Sequence, residues 1–187
     1  MLKLYHCDIS KMSDEDFLKA YIKSEETRMA KADKLKNKPD KKLSIAAGEL
    51  VRSAIAKEFN IAPCDIRFRI DRNGKPYTES APVHFSISHS KNIAVCAISD
   101  GPVGIDIEYI RDVNLNIAKR QFAPDEANYV FEKWDLAKRR FFEIWTRKEA
   151  YAKFLGKGIA YFPEFSVMGN NKIETHMRDK YIVSIAK

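Results

Sequence analysis

Residues 103–108 read Val-Gly-Ile-Asp-Ile-Glu, and this short run constrains the fold more tightly than any other. Side chains of a strand alternate between its two faces. Val103, Ile105 and Ile107 therefore share an apolar face that must enter a core, while Asp106 and Glu108 point together to the opposite side. Two carboxylates so close repel each other unless a cation lies between them. Oxygen ligands, few of them charged, suit Mg²⁺, whose shell is commonly completed by phosphate oxygens. The ordinary alternative is an amphipathic edge strand with a solvated acidic face, and the run alone leaves both readings open.

The rest of the chain supplies partners for this strand. With 187 residues, 45% of them hydrophobic, it holds enough apolar material for a real core. No stretch approaches the roughly 18–20 apolar residues of a membrane span. The opening residues, Met1 to Asp8, lack the apolar centre of a signal peptide. Cys7, Cys64 and Cys96 lie far apart and make no CxxC pair, which places the chain in a reducing cytoplasm. The expected elements are a strand over residues 2–5, a helix begun by a Ser13/Asp16 capping box, and a long helix over 43–59. Strands at 66–70, 85–88, 93–98 and 103–109 follow, the first returning through a tight Asn73-Gly74 turn. Helices are expected over 115–121, 124–133 and 137–155, and a last strand over 181–186. A faint repeat runs through this order. Ala54-Ile55-Ala56-Lys57 recurs as Ala150-Tyr151-Ala152-Lys153; a Gly-Lys pair follows each helix, and an apolar strand closes each half. The repeat predicts two similar α+β halves packed around a cleft.

The net charge is +7, and it is concentrated locally. Between Arg28 and Lys42 stand Arg28, Lys31, Lys34, Lys36, Lys38, Lys41 and Lys42 against only Asp33 and Asp40. Such a segment attracts a polyanion, although a solvated loop is the ordinary reading. Two further motifs matter. Trp145, Glu149 and Lys153 are spaced i, i+4, i+8 and share one helix face. Glu149 is a candidate third anionic ligand or general base, and Lys153 a candidate phosphate contact. The ordinary reading there is a surface ion pair. In Phe85-Ser86-Ile87-Ser88-His89-Ser90, apolar residues alternate with serines up to a strand-end histidine that can donate to phosphate. Neither G-x-S-x-G nor the P-loop pattern occurs.

These motifs, taken together and in order, resemble the Sfp-like 4′-phosphopantetheinyl transferases. The matching runs are Gly74-Lys75-Pro76, Phe85 to Ser90, Val103 to Glu108, and Trp145 to Lys153. Ala46 to Arg52 is similar to the family's N-terminal helix. The resemblance implies an α+β pseudo-dimer of two similar halves, residues 1–101 and 102–187, with coenzyme A and Mg²⁺ in the cleft between them. It implies transfer of the 4′-phosphopantetheine arm of coenzyme A to a serine of an acyl or peptidyl carrier protein, leaving adenosine 3′,5′-bisphosphate. By the same resemblance Asp106, Glu108 and Glu149 hold the metal, and Glu149 helps to deprotonate the serine. Asp106 and Lys153 join Glu149 as catalytic residues, Lys153 contacting the phosphates. Lys75, Pro76, Ser88 and His89 hold the nucleotide end, with Arg28, Lys31 and Lys42 as the basic residues near it. Lys42 stands beside Leu43, where members commonly carry an arginine.

Coenzyme A and an acidic carrier protein are thus the expected partners, met by a monomer in the cytoplasm without membrane or nucleic acid. Residues 28–42 contain no aromatic side chain, which speaks against a nucleic-acid-binding module. A non-catalytic coenzyme A or nucleotide binder is the remaining alternative. The segment from Arg111 to Phe122, with basic Arg111, Lys119 and Arg120 and apolar Leu115, Ile117 and Phe122, is the expected docking ridge for the carrier.

Overall fold

The computed structural model describes residues 1–157, 161–162 and 165–187. β1 (Leu2–Asp8) leads through a short 3₁₀ turn to α1 (Asp14–Lys23). Ser13 Oγ accepts from the Asp16 amide at 3.0 Å, and the Asp16 carboxylate accepts from the Ser13 amide, so the expected capping box is formed. The basic segment is largely helical rather than a loop. It comprises α2 (Glu26–Asp33) and the first turn of α3 (Lys38–Phe59). α2 was hidden because Ala32 is its one buried residue, so no apolar stripe marks it. α3 starts five residues before Leu43 because Asn37 caps the Asp40 amide at 2.9 Å and Pro39 fits the first turn.

β4 (His84–Ser90) and β5 (Ile93–Ser99) pair antiparallel, and β1 lies on the far side of β5. β2 (Phe68–Ile70) and β3 (Pro76–Thr78) form a hairpin whose turn puts Gly74 at φ +83°. β6 (Gly104–Tyr109) is followed by α4 (Asn116–Gln121), α5 (Pro124–Phe131) and α6 (Ala137–Leu155). β7 (Ile173–Arg178) and β8 (Tyr181–Ala186) complete a second antiparallel sheet in the order β6-β8-β7. β7 carried no readable pattern. It is an edge strand with Ile173 alone buried.

The two three-stranded sheets share one connectivity. In each, helices follow the first strand and the last strand lies between the other two. The Gly-Lys pairs of the repeat are not equivalent, however: Gly74 sits in the hairpin turn, whereas Gly156 ends α6 in the left-handed conformation at φ +68°.

Alternation along the strands stacks the layers. Cys96 and Ile98 of β5 face α3, packing with Val51, Ala54 and Ile55. Val95 and Ala97 face the other way, onto Val103 just before β6, Ile105 and Ile107 of β6, and Ile185 of β8. Ile182 and Ala186 of β8 face α6, where Phe141, Phe142 and Ile144 lie. The second sheet is therefore held between the first sheet and α6. Among the described residues no helix is long and apolar enough to cross a membrane.

Candidate active site

β6 runs as the alternation requires. Its apolar face enters the core, and its other face lies against α6 rather than against solvent. Contact with α6 is very close: a Cβ on Gly104 would lie 1.9 Å from the Ala150 carbonyl oxygen and 2.6 Å from the Phe154 nitrogen. Glycine at 104 thus lets β6 and α6 touch backbone to backbone. One face turn further along, Asp106 meets Lys153. The Lys153 ammonium donates to Asp106 Oδ1 at 2.7 Å and to the Ile105 carbonyl at 3.1 Å, and it stands 4.0 Å from Glu149 Oε2. Trp145, on the same helix face, is half-buried and stacks on Phe141 at 5.8 Å, which anchors that face.

Burial governs the charges here. Asp106 is only 5% exposed, and desolvation raises its pKa against the pull of Lys153 and Ser88. Glu149 is pushed up to about 7, chiefly by burial and then by the Asp106 carboxylate, with Lys153 opposing and Glu108 adding. Glu108 is more open. Its Oε2 accepts from Ser90 at 2.8 Å and from Arg111 at 2.7 Å.

β4 joins this site by an unusual seam. Its serines face the unpaired edge of β6. Ser86 Oγ accepts from the Ile105 amide at 3.1 Å, and Ser90 Oγ accepts from the Tyr109 amide at 3.0 Å. Ser88 Oγ donates to Asp106 Oδ1 at 2.6 Å. Serine side chains here satisfy edge donors that a further strand would otherwise take. Ser88, expected at the nucleotide, is engaged with the carboxylate in this structure.

On the other side of β4 stands His89, with Arg28 and Lys31 of α2 nearby. These cations crowd one another. His89 keeps exposed surface, yet burial, Lys31, Lys153 and Arg28 all lower its pKa. Burial, Arg28 and Lys153 lower that of Lys31, and burial also lowers Arg28, against the opposing pull of Glu25. Lys75 reaches across from the hairpin to donate to the Lys153 carbonyl at 2.6 Å and the Val103 carbonyl at 3.3 Å. Its pKa is lowered by burial, with Lys153 adding and Asp71 opposing. Cations gathered against their own repulsion are the signature of an anion site.

Two cavities adjoin Arg28, Lys31, Lys75 and Lys153, while His89 lines a separate one with Glu108 and Arg111. One of about 230 Å³ is lined by Arg28, Lys31, Glu49, Arg69, Pro76 and Ile87, among others. A second of about 190 Å³ shares Gly74, Pro76 and Ile87 with it and adds Lys75, Lys153 and Lys157. Lys42 does not join this group. Its ammonium is tied to the Met12 carbonyl at 2.6 Å and to Asp14 at 2.9 Å.

Other participants were not apparent from the sequence. Glu25 accepts from Arg52 and from the Phe68 amide, both at 3.1 Å, and so fixes α2, α3 and the hairpin together beside the first cavity. The run Ala46-Ala47-Gly48 was the available signal: Arg28 lies so close that a Cβ on Gly48 would meet its Nε at 3.0 Å. Between α6 and α5, Lys148 and Glu126 form a fully buried pair at 2.7 Å, completed by the Phe165 carbonyl and the Val167 and Ala123 amides. In the expected docking ridge, Phe122 is buried on Phe141, and Leu115 and Ile117 pack against the core. Lys119 and Leu115 still line an open groove with Val113, Phe131 and the exposed Trp134.

The carboxylates suit a hard divalent cation. Asp106 Oδ2 is a buried acceptor with no hydrogen-bond partner, and the nearby donors are carboxylate oxygens. Among the described residues no three His, Cys, Asp or Glu side chains are gathered into a ready metal cage. Lys153 and Arg111 occupy Asp106 and Glu108 instead.

Comparison with known proteins points the same way. The family model described as the 4′-phosphopantetheinyl transferase superfamily matches residues 102–183, and that for the 4′-phosphopantetheinyl transferase N-terminal region matches residues 11–100. A 4′-phosphopantetheinyl transferase of Bacillus subtilis is 35% identical over 149 residues, covering 79% of this chain and 66% of the relative. The transferase gsp of Aneurinibacillus migulanus is 40% identical over 128 residues, 68% of this chain and 53% of the relative. Sfp of Bacillus subtilis strain 168 is 34% identical over 154 residues, 81% of this chain and 67% of the relative. The chain spans about half to two thirds of the length of these relatives.

Proposed function

The chain belongs to the 4′-phosphopantetheinyl transferase superfamily, and from that premise we propose that it transfers the phosphopantetheine arm of coenzyme A to a carrier-protein serine. The observation that carries this reading is the meeting of two opposed charge sets. Arg28, Lys31, Lys75, His89 and Lys153 form one set, Asp106, Glu108 and Glu149 the other, and the two meet where Lys153 bonds Asp106. A phosphorylated nucleotide satisfies the first set, and a divalent cation satisfies the second.

In this reading the serine oxygen bonds to the phosphorus that carries pantetheine. The bond from that phosphorus to the bridging oxygen breaks, and adenosine 3′,5′-bisphosphate leaves with the electron pair. The serine proton passes to Glu149, directly or through water. Asp106, Glu108 and Glu149 would hold Mg²⁺, which would neutralise pyrophosphate charge. Lys153 steadies the phosphates, and His89, Arg28 and Lys31 hold the nucleotide's remaining phosphate. Lys75 and Pro76 border the cavity for its base. The two halves, 1–101 and 102–187, act as a pseudo-dimer with the cofactor between them. An acidic carrier docks on the ridge from Arg111 to Phe122, through Lys119 and the Trp134 groove.

Mass spectrometry of apo-carrier proteins incubated with coenzyme A and Mg²⁺ tests the reading. The expected result is the mass gain of one phosphopantetheine, lost in Asp106→Ala. Binding of coenzyme A without any mass gain on acyl or peptidyl carriers would favour the non-catalytic alternative.

A further inference from the structure

Lys153 faces two kinds of anion: the chain's own carboxylates Asp106 and Glu149 and, on the transferase reading, a phosphate of the ligand. Its ammonium lies on Asp106 Oδ1, 4.0 Å from Glu149, and donates to the Ile105 carbonyl of the same strand. Asp106 Oδ1 is thereby saturated, since Ser88 donates to it as well. Its other oxygen is buried and unpartnered. Lys153 therefore fills the electrostatic role that a divalent cation would take on these carboxylates. Two cations cannot share one buried carboxylate without strong repulsion.

We propose that Lys153 is an internal counter-cation that competes with the divalent metal for Asp106 until a phosphate ligand draws the ammonium away. The inference rests on the transferase reading for the identity of that ligand. Its consequence is a linkage: metal and phosphate ligand each strengthen the other's binding. Neighbouring groups favour the exchange. Lys31, Lys75 and His89 each lie close enough to feel the charge of Lys153, and Lys75 lines one cavity with it, so a phosphate beside Lys153 would relieve their mutual repulsion. On the far carboxylate, Arg111 and Ser90 hold Glu108 in the same manner.

The test is Mn²⁺ binding to the whole chain, followed by electron paramagnetic resonance at about pH 8, where Glu149 is ionised. Without nucleotide, Lys153→Met should bind Mn²⁺ about tenfold more tightly than the wild type, as loss of a charge-assisted bond to Asp106 implies. Lys31→Met removes the same charge from the cluster without touching Asp106, and should change Mn²⁺ affinity by less than about threefold. Saturating coenzyme A should tighten Mn²⁺ binding in the wild type, and by a smaller factor in Lys153→Met. Equal or weaker Mn²⁺ binding by Lys153→Met overturns the proposal, as does an equal gain in Lys31→Met. So does an equal effect of coenzyme A on both proteins. Lys153→Gln serves the same comparison should the methionine variant fail to fold. Should coenzyme A not bind the wild type at all, the transferase reading falls, while the metal-only comparison still decides the role of Lys153.

Discussion

At the scale of single residues the site is a problem in burying charge. Asp106 tolerates burial because Lys153 and Ser88 bond it, whereas Glu149 has no hydrogen-bond partner as close. Its pKa rises from 4.5 to about 7 in consequence. Between those values the folded protein keeps a proton that the unfolded chain has already lost. Stability in chelator should therefore fall as pH rises through that window, with the full penalty above it. Glu149→Gln should flatten the profile and gain on the order of 2 kcal/mol at about pH 8, read from urea melts at a series of pH values. A Gln variant with the wild-type profile would show that Glu149 is not the group responsible. The same substitution should remove phosphopantetheine transfer.

At the scale of elements, the meeting of β6 with α6 decides whether the carboxylates and Lys153 face one another. Gly104→Ala introduces a methyl where the Ala150 carbonyl already stands. The expected cost is about 3 kcal/mol of stability, together with loss of transfer in protein that still folds. Denaturant titration and the carrier mass assay check both parts. The motif displayed Gly104 plainly, yet its reason lies in a helix 46 positions away in sequence. α6 is held on its other side by Lys148 and Glu126. Glu126→Ala strands a buried ammonium and should cost about 3–5 kcal/mol, whereas Glu126→Leu combined with Lys148→Met should recover most of that loss. If the double variant were no more stable than the single one, the pair would be contributing more than charge compensation.

At the scale of the whole molecule, a net charge of +7 and a cluster of neighbouring cations predict salt-dependent binding. Calorimetry should show coenzyme A affinity falling as salt rises. His89→Ala should lose on the order of 1.5–3 kcal/mol toward coenzyme A and much less toward dephospho-coenzyme A. Equal losses would move His89 away from the 3′-phosphate. For the carrier, Lys119→Glu with Arg120→Glu should raise its KM at low salt and leave coenzyme A binding unchanged. Arg111 is unsuited to that test, because it bonds Glu108 directly.

What the sequence determined by itself was local and periodic. The two faces of Val103 to Tyr109, the Ser13 cap, the 137–155 helix and the shared face of Trp145, Glu149 and Lys153 all follow from alternation, helical spacing and capping chemistry. Those rules act over a few residues, so neighbours in the chain suffice to reveal them. Ordered motifs carried the family resemblance as well. Tertiary structure decided the rest. α2 and β7 present almost no buried apolar side chain, so nothing periodic announced them. Lys42 is basic and adjacent to the right helix, yet Asp14 of α1 takes its charge away from the cavities. Ser88 was expected at the nucleotide end, yet its hydroxyl bonds the Asp106 carboxylate, while Ser86 and Ser90 serve the open edge of β6. Each of these outcomes depends on which distant group comes within about 3 Å, the range at which hydrogen bonds and ion pairs act. Such pairings are set by how sheets and helices pack, and no spacing along the chain encodes them.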